Sequence, residues 1–99
     1  MINFIVAQTD LKAFITIDFD GNLTPNDLKS VQPPDPISGD FAKKLVILSG
    51  RAPIWLYAFL VHYYHPVKAV AVFDPRLDGG VVVQSHSNDY SVGDLVRFD

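Results

Sequence analysis

The sequence predicts a small α/β domain: one mixed sheet of five to six strands with two helices. Three observations point there. Short apolar stretches rich in β-branched residues recur along the chain, proline-marked helix starts separate them, and 99 residues without an internal repeat suit a single domain, residues 1–99.

Ile2–Ala7 alternates weakly and reads as a strand. Gln8-Thr9-Asp10 turns the chain, and Ala13–Phe19 (AFITIDF), alternating and β-branched, returns as the second arm of a hairpin. After Asp20-Gly21-Asn22, Thr24-Pro25 offers an N-cap followed by proline at the first helical position, which opens a short first helix to about Ser30. Gln32–Asp40 (QPPDPISGD) carries three Pro and one Gly and reads as a loop; too little chain precedes it to form a separate domain. Leu45–Leu48 is a continuous apolar run, the signature of a buried strand. Ser49-Gly50-Arg51-Ala52 interrupts it, and Pro53 marks the start of the second helix. That helix, Ile54–Tyr64 (IWLYAFLVHYY), is apolar on nearly all sides, so it is expected to be deeply packed or to face another subunit. Pro66 stops it. Ala69–Phe73 is a further strand, Asp74–Gly80 a turn, Val81–Ser85 an antiparallel return and Leu95–Phe98 a last edge strand.

Composition narrows the function. The net charge is −3, and every acid is Asp, with no Glu. A protein that holds long nucleic acid by counterion release is normally basic, so nonspecific polynucleotide binding is disfavoured, whereas a compact anionic ligand met by a few donors is not. The lack of Cys removes disulfides, thiolate chemistry and cysteine zinc sites. No apolar run is long enough to span a bilayer, and MINFIVAQTD lacks a cleavable signal pattern, so a cytoplasmic protein that does not engage a membrane is expected. At 48% apolar residues and a mean hydropathy of +0.18, surplus apolar surface is expected to meet a second subunit.

The strand–helix–strand–strand order of the second half sorts the polar residues to two poles. Ser49, Gly50, Arg51, Asp74 and Arg76 fall at the carboxyl ends of the parallel strands, the upper pole, where open α/β sheets place ligands. His62, His65 and His86, all the histidines of the chain, fall at the lower pole with Gln84 and Ser85, about 15–20 Å away by strand rise. If both poles serve one reaction, different subunits supply them. Ser49-Gly50-Arg51 leads into a helix N-terminus suited to phosphate; Gly50 allows close backbone approach and Arg51 can grip two phosphate oxygens. The rival reading is a plain connection with a surface arginine. Asp74-Pro75-Arg76 is either a turn with a local ion pair, or a metal ligand or base (Asp74) beside a phosphate clamp (Arg76). His65 and His86, both at element ends, suit acid–base work or transition-metal binding. His62 is expected to pack under Trp55 and Phe59 as a core residue, and the stripe Trp55, Phe59, Tyr63 to be core or dimer interface rather than a base-stacking platform.

Taken in order, SGRAPIWLYAFLVHYYH, VAVFDPRL and VVVQSH, within Leu45 to Gly93, resemble the small CRISPR-associated ring nucleases of type III systems. The resemblance is to their manganese-dependent stand-alone branch, whose members are also described as deadenylating RNA nucleases. It implies a Rossmann-like fold similar to the ligand-sensing CARF domains. It implies a phosphodiesterase that degrades cyclic oligoadenylate, cyclic tetra-adenylate above all, and so switches off type III signalling. By residue match, His65, Asp74, Arg76 and His86 would be catalytic and Ser49, Gly50, Arg51 and Arg76 would line the ligand. Mn²⁺ would be the cofactor, with His65 and His86 as its donors, and homodimers would stack head to tail into tetramers or longer assemblies. Two departures from the family pattern are a turn, Asp78-Gly79-Gly80, one residue longer, and Tyr57 in place of a more polar residue. Two other functions remain open at this point: trimming of RNA 3′ adenylates, and sensing of the messenger without turnover.

Overall fold

The computed structural model describes residues 1–98. It contains six strands, β1 (Ile2–Gln8), β2 (Lys12–Phe19), β3 (Leu45–Ser49), β4 (Ala69–Asp74), β5 (Gly79–Ser85) and β6 (Leu95–Val96), and one α-helix, α1 (Ile54–Tyr63). All six strands form one mixed sheet in sequence order. β2, β3 and β4 are parallel; β1 pairs antiparallel with β2, and β5 and β6 extend the other side antiparallel. The expected α/β class and mixed six-stranded sheet are present. The order has no reversal of the Rossmann kind. Both parallel crossovers pack on the same face, because Leu23, Leu28 and Phe41 of the first join the core under α1 of the second.

The first expected helix is instead a single 3-10 turn, Pro25–Lys29. Its start is as expected: Thr24 is the N-cap, and its backbone N–H donates to the Asp27 carboxylate at 2.8 Å. Only Leu28 packs against the core and no residue is fully buried, so little tertiary contact extends it, and Pro33, Pro34 and Pro36 just beyond deny the backbone N–H groups a longer helix needs.

β3 is buried on both sides, as its unbroken apolar run predicts. Val46 and Leu48 face α1, packing with Ala13, Ile15, Ile17, Val70, Leu56, Leu60 and Tyr64. Leu45 and Ile47 face the other way with Ala69, Ala71 and Val82. That second face is covered not by a helix but by the C-terminal segment: Tyr90 and Val96 pack on it, and the Phe98 ring lies 5.1 Å from Phe14 and 5.2 Å from Phe73. Gly79 and Gly80 belong to β5 rather than to the turn before it. A Cβ on Gly79 would lie 2.8 Å from the Val96 carbonyl oxygen, so β6 could not approach a larger residue. Asp78 takes the left-handed turn position instead, at φ 53°.

α1 is less enclosed than its all-round apolarity suggested. Leu56 and Leu60, one helical turn apart, face the sheet, followed by Tyr64; Ile54 is 87% exposed and Trp55 and Phe59 are half-buried. His62 is exposed, not a core residue: two positions from Leu60, it points about 200° around the helix, away from the sheet. No helix of the described residues is long and apolar enough to cross a membrane.

Tyr64 is fully buried, yet its hydroxyl donates to the Pro34 carbonyl at 2.6 Å, tying the proline-rich loop to the helix end. Tyr64→Phe is expected to cost about 1 kcal/mol. For a domain of this size that lowers Tm by about 4–8 °C, measurable by thermal denaturation.

Candidate functional site

The lower pole is built by the end of α1 and the end of β5. A bulge in β5 decides what stands there. Ala71 pairs with Val82, but the next pair along is Val70 with Gln84, leaving Val83 unpaired and 42% exposed. Paired residues share a face, so Val82 joins Ala71 on the face away from the helix, and Gln84 joins Val70 on the helix side. His86, two residues on, reaches the same side and meets His65, which follows the helix directly.

The two imidazoles stand edge to face, ring centroids 4.9 Å apart. His86 Nε2 lies 2.9 Å from the His65 carbonyl oxygen, and His65 Nδ1 lies 3.3 Å from Gln84 Oε1. Both contacts are to acceptors, so in the neutral rings these nitrogens carry the hydrogens. Nδ1 of His86 and Nε2 of His65 are left with lone pairs for a proton or a metal. The segment bearing His86 is held at its root: His86 N–H donates to the Lys68 carbonyl at 2.9 Å, and Lys68 Nζ donates to Asp89 at 2.7 Å. That hydrogen bond and the opposite charges hold the Asp89 carboxyl below, and the Lys68 ammonium above, their ordinary ranges.

At the upper pole, Ser49 closes β3 and its hydroxyl lies 3.3 Å from that of Thr16 on β2. Gly50 adopts φ 114° and passes so close to β2 that a Cβ would overlap the Ile17 carbonyl oxygen. The Tyr57 hydroxyl donates to the Gly50 carbonyl, and burial pushes that phenol's pKa up. The unexpected tyrosine thus fastens the loop that precedes its own helix. Arg51 is exposed beside it.

The Asp74–Arg76 segment forms the turn with a local ion pair. Asp74 Oδ1 accepts the Arg76 backbone N–H at 2.9 Å and Nε at 3.4 Å; Oδ2 accepts Nη2 at 3.3 Å. These bonds hold the Asp74 carboxyl below the usual range. The Arg76 side chain is 88% exposed, so the pair is weak and its guanidinium can be given up to a phosphate. The sign follows from the depressed folded value: whatever the pair contributes is present above the ordinary carboxylate pKa and is lost as pH falls through the folded one. Arg76→Gln is expected to return Asp74 toward about 3.9 in a carbon-detected NMR titration. No change would mean that the pair is absent in solution.

The structure therefore brings His65 to His86, and Asp74 to Arg76, on different poles; β4 separates them by roughly 17 Å at the usual strand rise. Ser49, Gly50 and Arg51 end the strand next to β4. Among the described residues the His62 side chain hydrogen-bonds to neither group. A hollow of ≈ 420 Å³ between Met1, Ile2 and Ser30 shares no residue with either pole. Among the described residues no three His, Cys, Asp or Glu side chains converge on one point. One copy offers a manganese ion two imidazole nitrogens and no carboxylate, which does not complete a site for a cation that favours oxygen ligands.

Residues 16–97 match the family model described as CRISPR-associated protein (Cas_csx3). The chain belongs to the Cas_csx3 family. That match takes in both poles of the sheet and leaves out all of β1 and the first half of β2. An uncharacterized protein of Aquifex aeolicus (strain VF5) is 49% identical over 90 residues, which cover 91% of this chain and 81% of that protein. The CRISPR association implied by the motifs is thus shown at the level of the Cas_csx3 family. Three features of the site went unassigned in the sequence: the hydrogen bonds of Gln84, the tie from Tyr57 to Gly50 and the Lys68–Asp89 pair. The first was signalled faintly by VVVQSH, where a polar residue breaks a valine run; the other two depend on contacts the sequence does not mark.

Proposed function

We propose that the chain is a phosphodiesterase that opens cyclic oligoadenylate, cyclic tetra-adenylate in particular, and so ends type III CRISPR signalling. The observation that carries this reading is the exposed His65–His86 pair, two imidazoles oriented by acceptors on their far nitrogens. One imidazole takes the proton of the attacking oxygen, and the other, protonated, gives a proton to the leaving 5′ oxygen as the P–O bond breaks. Arg51 and Arg76 hold the phosphate oxygens, with Ser49 and Gly50 lining the ring. Because the two poles are too far apart to touch one phosphate, the arginines belong to one copy and the histidines to the next, stacked head to tail. Mn²⁺ dependence is part of the proposal. An ion held by the imidazoles of His65 and His86 would take the place of this proton transfer, since each ring has one free lone pair.

The test is a chromatographic assay of cyclic tetra-adenylate with and without Mn²⁺, over a range of protein concentrations. Linear product is expected, at a rate rising more steeply than linearly with protein. Binding without product would replace this reading by a sensor, and trimming of linear RNA 3′ adenylates with the ring untouched would replace it by a deadenylase.

A further inference from the structure

Gln84 meets three groups beneath the end of α1. Its Nε2 lies 3.0 Å from the His65 carbonyl oxygen and 3.4 Å from that of Tyr64. Carbonyl oxygens only accept, so the amide nitrogen faces them and the amide oxygen is turned to His65 Nδ1. That oxygen only accepts in its turn, so Nδ1 holds the hydrogen and Nε2 the lone pair. The Val83 bulge makes this possible: in unbroken alternation Gln84 would follow Gly80 and Val82 onto the face away from the helix.

We propose that Gln84 is a positioning residue that selects the tautomer of His65, fixing Nε2 as the nitrogen presented to the substrate. This rests on the phosphodiesterase reading only for its kinetic consequence. Without an acceptor at Nδ1, a neutral imidazole prefers to carry its hydrogen on Nε2, and the basic nitrogen would then face inward.

The experiment uses the intact protein with ¹⁵N-labelled histidine. Long-range ¹H–¹⁵N spectra are recorded at rising pH until the imidazole shifts stop changing, and the tautomer is read there. Wild-type His65 is expected as the Nδ1–H tautomer. Gln84→Met keeps the side-chain length, removes donor and acceptor, and is expected to shift His65 to mainly Nε2–H. Gln84→Glu keeps an acceptor and is expected to retain Nδ1–H, which separates tautomer control from mere filling of space. Backbone amide spectra check that each variant is folded. With cyclic tetra-adenylate, Gln84→Met should lower kcat about 10–100-fold and leave KM within about twofold. An Nε2–H tautomer in the wild type, or an unchanged tautomer in Gln84→Met, overturns the proposal. If the wild type fails to cleave the ring, the functional reading falls by itself and the tautomer experiment still decides this one.

Discussion

His86→Ala is expected to slow opening of cyclic tetra-adenylate by about 10²–10⁴-fold, the range over which a positioned acid or base accelerates proton transfer. The fold should survive it. His86 is exposed, its ring packs in no core, and the His65 carbonyl that accepts from it also accepts from Gln84. Stability within about 1 kcal/mol of wild type is therefore expected. His62→Ala is the matched control: an exposed imidazole of the same chain, on the outward side of α1, whose loss should change the rate by no more than about twofold. His86→Ala also tests the arrangement of subunits. Arg76→Ala damages the opposite pole, so each of these two variants is poor alone. In an equimolar mixture, contacts form in which an intact lower pole meets an intact upper pole, and activity should recover to on the order of a quarter of wild type. No recovery would mean that no active site is shared between copies in this way. Equal loss of rate in His62→Ala and His86→Ala would mean that the edge-to-face pair has no special place in the chemistry.

Most of the architecture was legible because it is local and periodic. The apolar run of β3, the alternation of β2 and the proline before α1 each follow from one short stretch of sequence. The departures have a common cause, in that each depends on a distant partner. The Pro25–Lys29 turn has a good helix start but only Leu28 to set against the core, so capping leaves it at one short turn. Gly79 and Gly80 read as turn residues because nothing in the sequence announces that β6 will lie against one of them. His62 looked like core because α1 is apolar all round, which hides the face that meets the sheet. The same holds at the site. Segregation of Ser49, Gly50, Arg51, Asp74 and Arg76 from His65 and His86 follows from strand direction alone. The face on which His86 emerges depends on a single unpaired residue, Val83, which no alternation pattern reveals.

Gly50→Ala is the substitution expected to damage stability most among those that add a single methyl group at a turn. Two costs combine. At φ 114° any side chain is strained, which costs about 1–3 kcal/mol. The new methyl would also overlap the Ile17 carbonyl oxygen and lie 2.9 Å from the Ile17 nitrogen. These are backbone atoms of β2, a strand paired on both sides, so no rotamer change relieves the overlap. A loss of about 3 kcal/mol or more is expected, a large part of the ~5–15 kcal/mol that holds a typical small domain together. Gly21→Ala separates the two costs: its φ is also positive, at 72°, but nothing lies within 4 Å of the added methyl, so about 1–2 kcal/mol is expected there. Urea denaturation of both variants, with an unchanged slope, gives the difference directly. An equal loss in the two would mean that β3 and β2 do not approach at Gly50 as closely as described. The consequence reaches the ligand. If the loop moves to relieve the overlap, the Gly50 carbonyl leaves the Tyr57 hydroxyl and Arg51 moves with it. Ring binding should therefore weaken in Gly50→Ala even under conditions where the variant remains folded, whereas Gly21→Ala should bind as wild type does. A close backbone crossing thus fixes the position of an exposed arginine that makes no side-chain hydrogen bond among the described residues.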